Sequence, residues 1–206
     1  MRHLGIIGAG TVGQAIARLA IAAGRSVVIA GRRPAADLKV LAEQLGGAEP
    51  GAVRDAAALD MVVLAVRWPD IAEVLAPLSR SWRNQILIDA TNPFVTFEPP
   101  QLAELDGQSA SAIVAKQAPG ARVVKAFNSV TMANFTKGPL DGRARRVLFV
   151  SGDHADANTE VAALIEDMGY RAILLGDLET GGRLQQAGGP LAGRDILLGT
   201  GAGEGN

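Results

Sequence analysis

Apolar residues follow two alternating rhythms along this chain. Short apolar runs of four to six residues recur, and between them lie stretches whose apolar positions return every three or four residues. The first rhythm predicts buried strands and the second amphipathic helices. Leu4-Gly5-Ile6-Ile7 reads as a first strand and Val27-Val28-Ile29-Ala30 as a second. The helix between them covers residues 14–23, with Ile16, Ala17, Leu19, Ala20 and Ala23 apolar. Pro34 suits the first turn of a second helix ending near Leu45, where Gly46-Gly47 stops it. Residues 48–53 are predicted as a short third strand, and Asp55 as the cap of a turn through Ala58.

The same alternation continues. Residues 61–66 read as a buried strand. Arg67-Trp68-Pro69-Asp70 opens a helix with Ile71, Val74, Leu75 and Leu78 on its apolar face, and Pro77 kinks or shortens it. Residues 86–90 form the next strand, and Thr91-Asn92-Pro93 leaves the sheet at its C-terminal edge, where open α/β folds bind ligands. Residues 94–107, with Pro99 and Pro100, are expected to be a loop over the site. Ser109 caps a helix through Gln117, residues 123–128 run from a strand into a polar turn, and 146–150 is another strand. A helix over 155–168 and a last strand over 172–175 complete the pattern. It predicts an α/β fold: a Rossmann-type, doubly wound, mostly parallel sheet. Residues 1–198 form one domain with a short C-terminal extension, and the Gly-rich tail 199–206 is expected to be disordered.

The first strand and helix are joined by Gly8-Ala9-Gly10-Thr11-Val12-Gly13. Gly8 permits a tight turn, Gly10 lets the backbone approach a pyrophosphate, and Gly13 lets the helix lie close on the strand. The helix N-terminus then offers free N–H groups to the phosphates. Such spacing alone is weak evidence in a chain with 25 glycines. Its place between a strand and a helix, with a second strand following, makes it a dinucleotide site rather than a ligand-free loop. An NAD site usually ends the second strand with Asp or Glu, which binds the ribose 2′-hydroxyl. This chain has Gly31-Arg32-Arg33. A carboxylate repels a 2′-phosphate, whereas a guanidinium grips it with paired hydrogen bonds. The sequence therefore predicts NADP(H) over NAD(H); the bland alternative is a solvated turn before Pro34.

Composition narrows the classes. The net charge of −1 makes no electrostatic case for nucleic acid or an anionic membrane. The chain has no cysteine, which removes disulfides, thiolate nucleophiles, Fe–S ligation and zinc–thiolate sites, and fits a cytoplasmic protein. Met1-Arg2-His3 before an apolar run imitates a secretory signal, but the glycine spacing explains the same residues better. No apolar run approaches the roughly 18 residues of a membrane span.

Acid–base candidates are few. His3 precedes the first strand, at the sheet edge away from the glycine turn, and His154 lies near a helix start. Tyr170 is the one tyrosine and has no lysine at Tyr-x-x-x-Lys spacing. The general acids of common alcohol and hydroxyacid dehydrogenases are therefore missing. Carbonyl reduction needs a delivered proton, whereas transfer between two stacked rings mainly needs positioning and exclusion of water. Arg67, Thr91, Asn92, Lys125, Asn128, Ser129 and Thr131 are the polar groups at the C-terminal edge. Lys125 is equally readable as a strand-end lysine with its stem along apolar surface.

Taken in order, Gly8 to Gly13, Gly31-Arg32-Arg33, Leu64-Ala65-Val66, Asp89-Ala90-Thr91-Asn92-Pro93, Val124-Lys125-Ala126-Phe127-Asn128 and Gly152-Asp153 resemble the NADPH-dependent reductases of the deazaflavin coenzyme F(420). The set is also similar to the NADPH-binding domain of the six-transmembrane metalloreductases, whose acceptor is a flavin. The resemblance implies NADP(H) held by Gly10, Thr11, Val12, Arg32 and Arg33, and the reading of the glycine turn and strand end adds Gly8, Gly13 and Gly31. It further implies a nicotinamide side bordered by Val66 and Arg67; Ala65, Asn92, Pro93, Lys125 and Asn128 join the candidate cofactor site by their place at the sheet's C-terminal edge. A flavin or deazaflavin is then the small-molecule acceptor, and a homodimer the expected assembly. Gly31 stands where the archaeal deazaflavin enzymes commonly have serine, and Lys125 to Val130 replaces a more histidine-containing segment. The reading is an NADPH-dependent oxidoreductase with a flavin or F(420)-like acceptor. A small imino- or hydroxyacid reductase, or an NADP(H)-binding sensor or partner subunit without turnover, are the alternatives.

Overall fold

The computed structural model describes residues 3–199. Residues 200–206, most of the expected tail, lie outside them. The chain opens with β1 (His3–Ile7), α1 (Thr11–Ala22) and β2 (Ser26–Ala30). A 3₁₀ turn over Ala35–Leu38 leads into α2 (Lys39–Gln44), so Pro34 precedes the turn rather than starting one long helix. Then come β3 (Glu49–Pro50), α3 (Val53–Ala57), β4 (Met61–Leu64), α4 (Ile71–Leu75) and β5 (Ile86–Asp89). Asp55 does cap α3, from its third position, by accepting the Ala52 N–H at 2.9 Å. Pro77 shortens α4 to little more than a turn, as its ring demands.

Residues 94–107 are not a plain loop. Phe94–Phe97 (β6) and Pro100–Leu102 (β7) pair as an antiparallel hairpin whose turn carries a cis Glu98–Pro99 bond. Pro100 is tolerated because it sits at a strand start in a separate two-stranded sheet. The aromatic and β-branched run Phe94-Val95-Thr96-Phe97 supplies the strand preference. Next are α5 (Ala110–Gln117), capped by Ser109 Oγ accepting the Ala112 N–H, and β8 (Arg122–Lys125).

The remaining elements are α6 (Met132–Phe135), β9 (Leu140–Asp141), β10 (Ala144–Gly152), α7 (Ala155–Asp167), β11 (Arg171–Leu174), α8 (Gly181–Gln185) and β12 (Leu197–Leu198). In the sheet the order β3-β2-β1-β4-β5-β8 is parallel throughout. That is the six-strand Rossmann order. β10 then joins β8 antiparallel, and β11 pairs parallel with β10. The reversal has a local cause. A parallel return needs a crossover of a dozen or more residues, usually helical. The 18 residues between β8 and β10 are long enough, but they hold only the four-residue α6 and the β9–β10 hairpin, so no helix carries the chain back across the sheet face.

Continuous burial of β1, β4, β5 and β8 follows from helices on both faces. On one face Ile16, Ala17 and Ala20 of α1 and Val161, Leu164 and Ile165 of α7 cover Ile6, Val63 and Ile88. On the other, Ile71, Leu75 and Val114 pack over Ile7, Val62 and Leu87. Among the described residues no helix is long and apolar enough to cross a membrane.

Candidate functional site

The glycine turn opens at the C-terminal end of β1. Gly8 has φ +125°, which L side chains rarely adopt, and a Cβ there would collide with the Ala65 carbonyl. A Cβ on Gly13 would collide with the Gly8 carbonyl, so α1 lies against the turn as its spacing predicts. Gly10 differs. Its backbone is extended, with φ −83° and ψ −174°, and a Cβ there touches nothing within 4 Å. No side chain caps α1, which leaves its first N–H groups open to an anion. Gly10 is thus free of any packing duty and lies where a ligand's backbone approach needs room. Gly10→Ala is expected to keep the wild-type melting temperature yet weaken NADPH binding about tenfold, because a methyl group would intrude between turn and pyrophosphate. Gly13→Ala is expected to lower the melting temperature itself. Thermal unfolding and NADPH titration of both variants check this pair; equal melting losses would contradict it.

Two clefts flank the turn. One, of about 480 Å³, is lined by Gly8, Gly31, Arg32, Arg33, Leu38 and Asp70 among others. The other, of about 740 Å³, takes in Thr11, Val12, Thr91, Asn92, Asn128 and an apolar wall. Both share Gly10, Ala65, Val66 and Arg67, so they form one trough along the C-terminal edge of the sheet. This is the position in which doubly wound folds bind dinucleotides.

Charge is distributed unevenly in the trough. Arg32 and Arg33 are exposed, and neither makes a hydrogen bond or ion pair with any described residue. Arg67 behaves differently. Its guanidinium donates to both carboxylate oxygens of Asp70, at 2.8 and 3.0 Å. Those hydrogen bonds hold the Asp70 carboxyl below its usual range, and the charge of Arg32 adds to the effect. They also raise the Arg67 guanidinium above its usual value. Free guanidinium capacity therefore lies at the Arg32–Arg33 end.

The larger cleft has an apolar wall of Trp68, Phe94, Phe97, Phe127, Val130 and Met132. Phe127 holds φ +64°, an outlier for an aromatic residue, at the turn where β8 leaves the sheet. Of the described residues lining this cleft, Arg67 alone is ionisable. His3 begins β1 at the other end of the sheet and His154 precedes α7, and neither lines the trough. Tyr170 is buried and its hydroxyl donates to the Phe135 carbonyl at 3.1 Å. Burial pushes its pKa up to about 12. Among the described residues no cluster of His, Asp and Glu could hold a metal ion.

Thr91, Asn92, Asn128, Ser129 and Thr131 all line the larger cleft, as their place in the sequence suggests. Asn92 and Asn128 brace each other: Asn92 Nδ2 donates to the Asn128 carbonyl at 2.8 Å, and Asn128 Nδ2 to Asn92 Oδ1 at 3.2 Å. Asn128 Oδ1 is buried without a hydrogen-bond partner. Lys125 and Pro93 do not fit the expectation. Pro93 is buried outside both cleft walls, and its carbonyl accepts the Ala103 N–H as the hairpin closes. Lys125 is fully buried beneath the cleft floor, neither lining the trough nor reaching toward solvent. Its Nζ donates to Asp89 Oδ2 at 3.2 Å and to the Thr91 carbonyl at 3.1 Å. Asp89 also accepts from the Thr91 N–H, the Thr91 hydroxyl and Ser111 Oγ. A buried cation at a strand end demands such a cage, because desolvation without partners costs several kcal/mol.

Sequence reasoning missed the aromatic wall and the C-terminal segment. Ala187, Gly188, Ala192 and Gly193 line the larger cleft, and the Gly193 N–H donates to the Ser129 carbonyl at 2.6 Å. The Phe94–Phe97 pair was visible as an aromatic strand pattern. The C-terminal loop has small residues and no periodicity, and nothing local marks it.

Comparison with known proteins adds to this geometry. Residues 3–93 match the model of the family described as NADP oxidoreductase, coenzyme F(420)-dependent. The chain is 26% identical over 180 residues to the metalloreductase STEAP3 of Rattus norvegicus, a match covering 85% of this chain and 34% of that protein. It thus spans about a third of the length of this curated relative. A hypothetical protein from Sinorhizobium meliloti superposes with a TM-score of 0.89 at 38% identity, over 96% of both chains. A candidate F(420)-dependent NADP-reductase from an Arthrobacter species superposes with a TM-score of 0.73 at 29% identity, over 86% of both chains. An imine reductase from Myxococcus stipitatus shares the fold, with a TM-score of 0.63 at 20% identity, over 88% of this chain and 57% of that one.

Proposed function

We propose, from the match of residues 3–93 to the model of coenzyme F(420)-dependent NADP oxidoreductases, that the chain passes reducing equivalents between NADP(H) and a flat heterocycle, a flavin or deazaflavin, within the trough. When bound, NADPH supplies a hydride from its dihydropyridine ring. Arg32 and Arg33 would hold the 2′-phosphate, each through charge-assisted hydrogen bonds. The open N–H groups at the start of α1 would receive the pyrophosphate past Gly10. Ala65 and Val66 have small or short side chains at the end of β4 and would let two rings approach closely over them. The paired amides of Asn92 and Asn128 fix the floor of the larger cleft, and the aromatic wall excludes water from it.

One observation carries this reading. A single trough joins unpaired guanidiniums at one end to an apolar, nearly uncharged chamber at the other. That arrangement suits positioning two rings better than delivering a proton to a carbonyl oxygen. The test is NADPH oxidation followed by absorbance, with F(420), FMN, FAD and riboflavin offered separately. Turnover with at least one is expected. Tight NADPH binding with no turnover on any of the four would contradict the reading and favour a sensor or partner subunit.

A further inference from the structure

The β6–β7 hairpin holds a feature that the reaction described above does not use. In a regular strand, residues three apart point to opposite faces. Phe94 and Phe97 are three apart, yet their rings meet with centroids 5.0 Å apart, inclined at 35°. The cause is a register shift between Phe94 and Thr96, an irregularity that turns both rings to one side. That side is the larger cleft, whose wall includes both. The hairpin is fixed at the rim. The Phe94 N–H donates to the Asn92 carbonyl at 2.8 Å, the Ala103 N–H to the Pro93 carbonyl at 2.8 Å, and β6 packs on the turn Trp68–Asp70. Even so, Phe97 remains 61% exposed. A large ring held rigidly at a cleft mouth and left open to solvent is a surface waiting for a ligand.

We propose that Phe97, supported by Phe94, is an acceptor-contacting residue: its ring stacks on the planar acceptor and selects it by its heterocycle rather than by the charge of its tail. The second half follows from Arg67. It is the one charged side chain among the described residues of this wall, and both of its short hydrogen bonds go to Asp70. Ring stacking is then what the wall offers. The inference rests on the proposed function, since it presumes a flat acceptor, and it goes on to assign the residue that receives it.

The experiment titrates NADP-saturated protein with riboflavin and with FMN, read by quenching of flavin fluorescence. Wild type is expected to bind the two with Kd values within about threefold of each other. Phe97→Ala is expected to weaken both about tenfold, the usual scale for losing one stacking ring. Phe97→Trp is expected to restore binding, and the NADPH Kd to stay within about twofold in both variants. Riboflavin affinity unchanged by Phe97→Ala would overturn the assignment. A smaller species in sedimentation with unchanged flavin binding would also overturn it and make the hairpin a contact between copies of the chain. FMN bound more than about tenfold tighter than riboflavin would overturn selection by ring alone. Wild-type protein that holds NADP but binds neither flavin nor F(420) would instead remove the proposed function, a separate failure.

Discussion

Replacing Arg32 and Arg33 together with alanine is expected to raise the Kd for NADPH about a hundredfold and leave that for NADH within about twofold. Neither guanidinium makes a hydrogen bond or ion pair among the described residues, and Arg32 acts on Asp70 only through its charge, so no internal ion pair is lost and the fold should not notice. A 2′-phosphate brings charge of about −1.5 to −2 and three strong acceptors. Each charge-assisted hydrogen bond to it contributes roughly 1.5 kcal/mol or more. Two arginines therefore supply about 3 kcal/mol, and a factor of ten is about 1.4 kcal/mol. Because both side chains are exposed, the preference should shrink as salt is raised. Fluorescence titration with both coenzymes at two ionic strengths checks it. Equal loss of NADPH and NADH affinity would mean that the arginines act on something other than the 2′-phosphate.

Lys125→Met is expected to be the most destabilising single change at the site. Lys125 and Asp89 are both fully buried, and removing the cation leaves a carboxylate with nothing to neutralise it. Breaking a buried pair in this way costs about 3–5 kcal/mol. For a chain of this size that corresponds to a melting-temperature loss of roughly 10 °C. Adding Asp89→Asn should recover part of the loss, because the amide removes the stranded charge while its oxygen still accepts from Thr91 and its nitrogen donates to the Ser111 hydroxyl oxygen. Below the transition, NADPH affinity of Lys125→Met should stay within about threefold of wild type. Thermal unfolding of the single and double variants, with coenzyme titration, separates the roles. An unchanged melting temperature with a large loss of NADPH affinity would make Lys125 a coenzyme ligand after all.

The contrast between Arg32 and Lys125 shows which features a sequence exposes. Arg32 could be placed in the trough because its position depends on local spacing: it follows a strand, which follows a glycine turn. The glycines were legible for the same reason, since Gly8 takes a positive φ in the turn and a Cβ on Gly13 would meet the Gly8 carbonyl five residues before it. Lys125 could not be assigned. Whether a strand-end lysine reaches the cleft or turns beneath it depends on Asp89, Thr91 and Ser111, which come from other parts of the chain. The direction of β10 was hidden similarly. Its apolar run predicts a strand of either sense, and it enters the sheet antiparallel through the β9–β10 hairpin, with no crossover helix after β8. The hairpin at Phe94 was masked by its prolines, which argue against a central strand but not against an isolated one.

The central claim is that one coenzyme lies along the whole trough, phosphate end at the arginines and reactive ring over Ala65. A crystal structure of the protein with NADP bound tests this most directly. The predicted result is the 2′-phosphate within hydrogen-bond distance of Arg32 or Arg33, the pyrophosphate against the N–H groups after Gly10, and the nicotinamide ring beside Ala65 and Val66, facing the Phe97 wall. A bound NADP whose 2′-phosphate points away from both arginines, or whose nicotinamide lies outside the larger cleft, would contradict it.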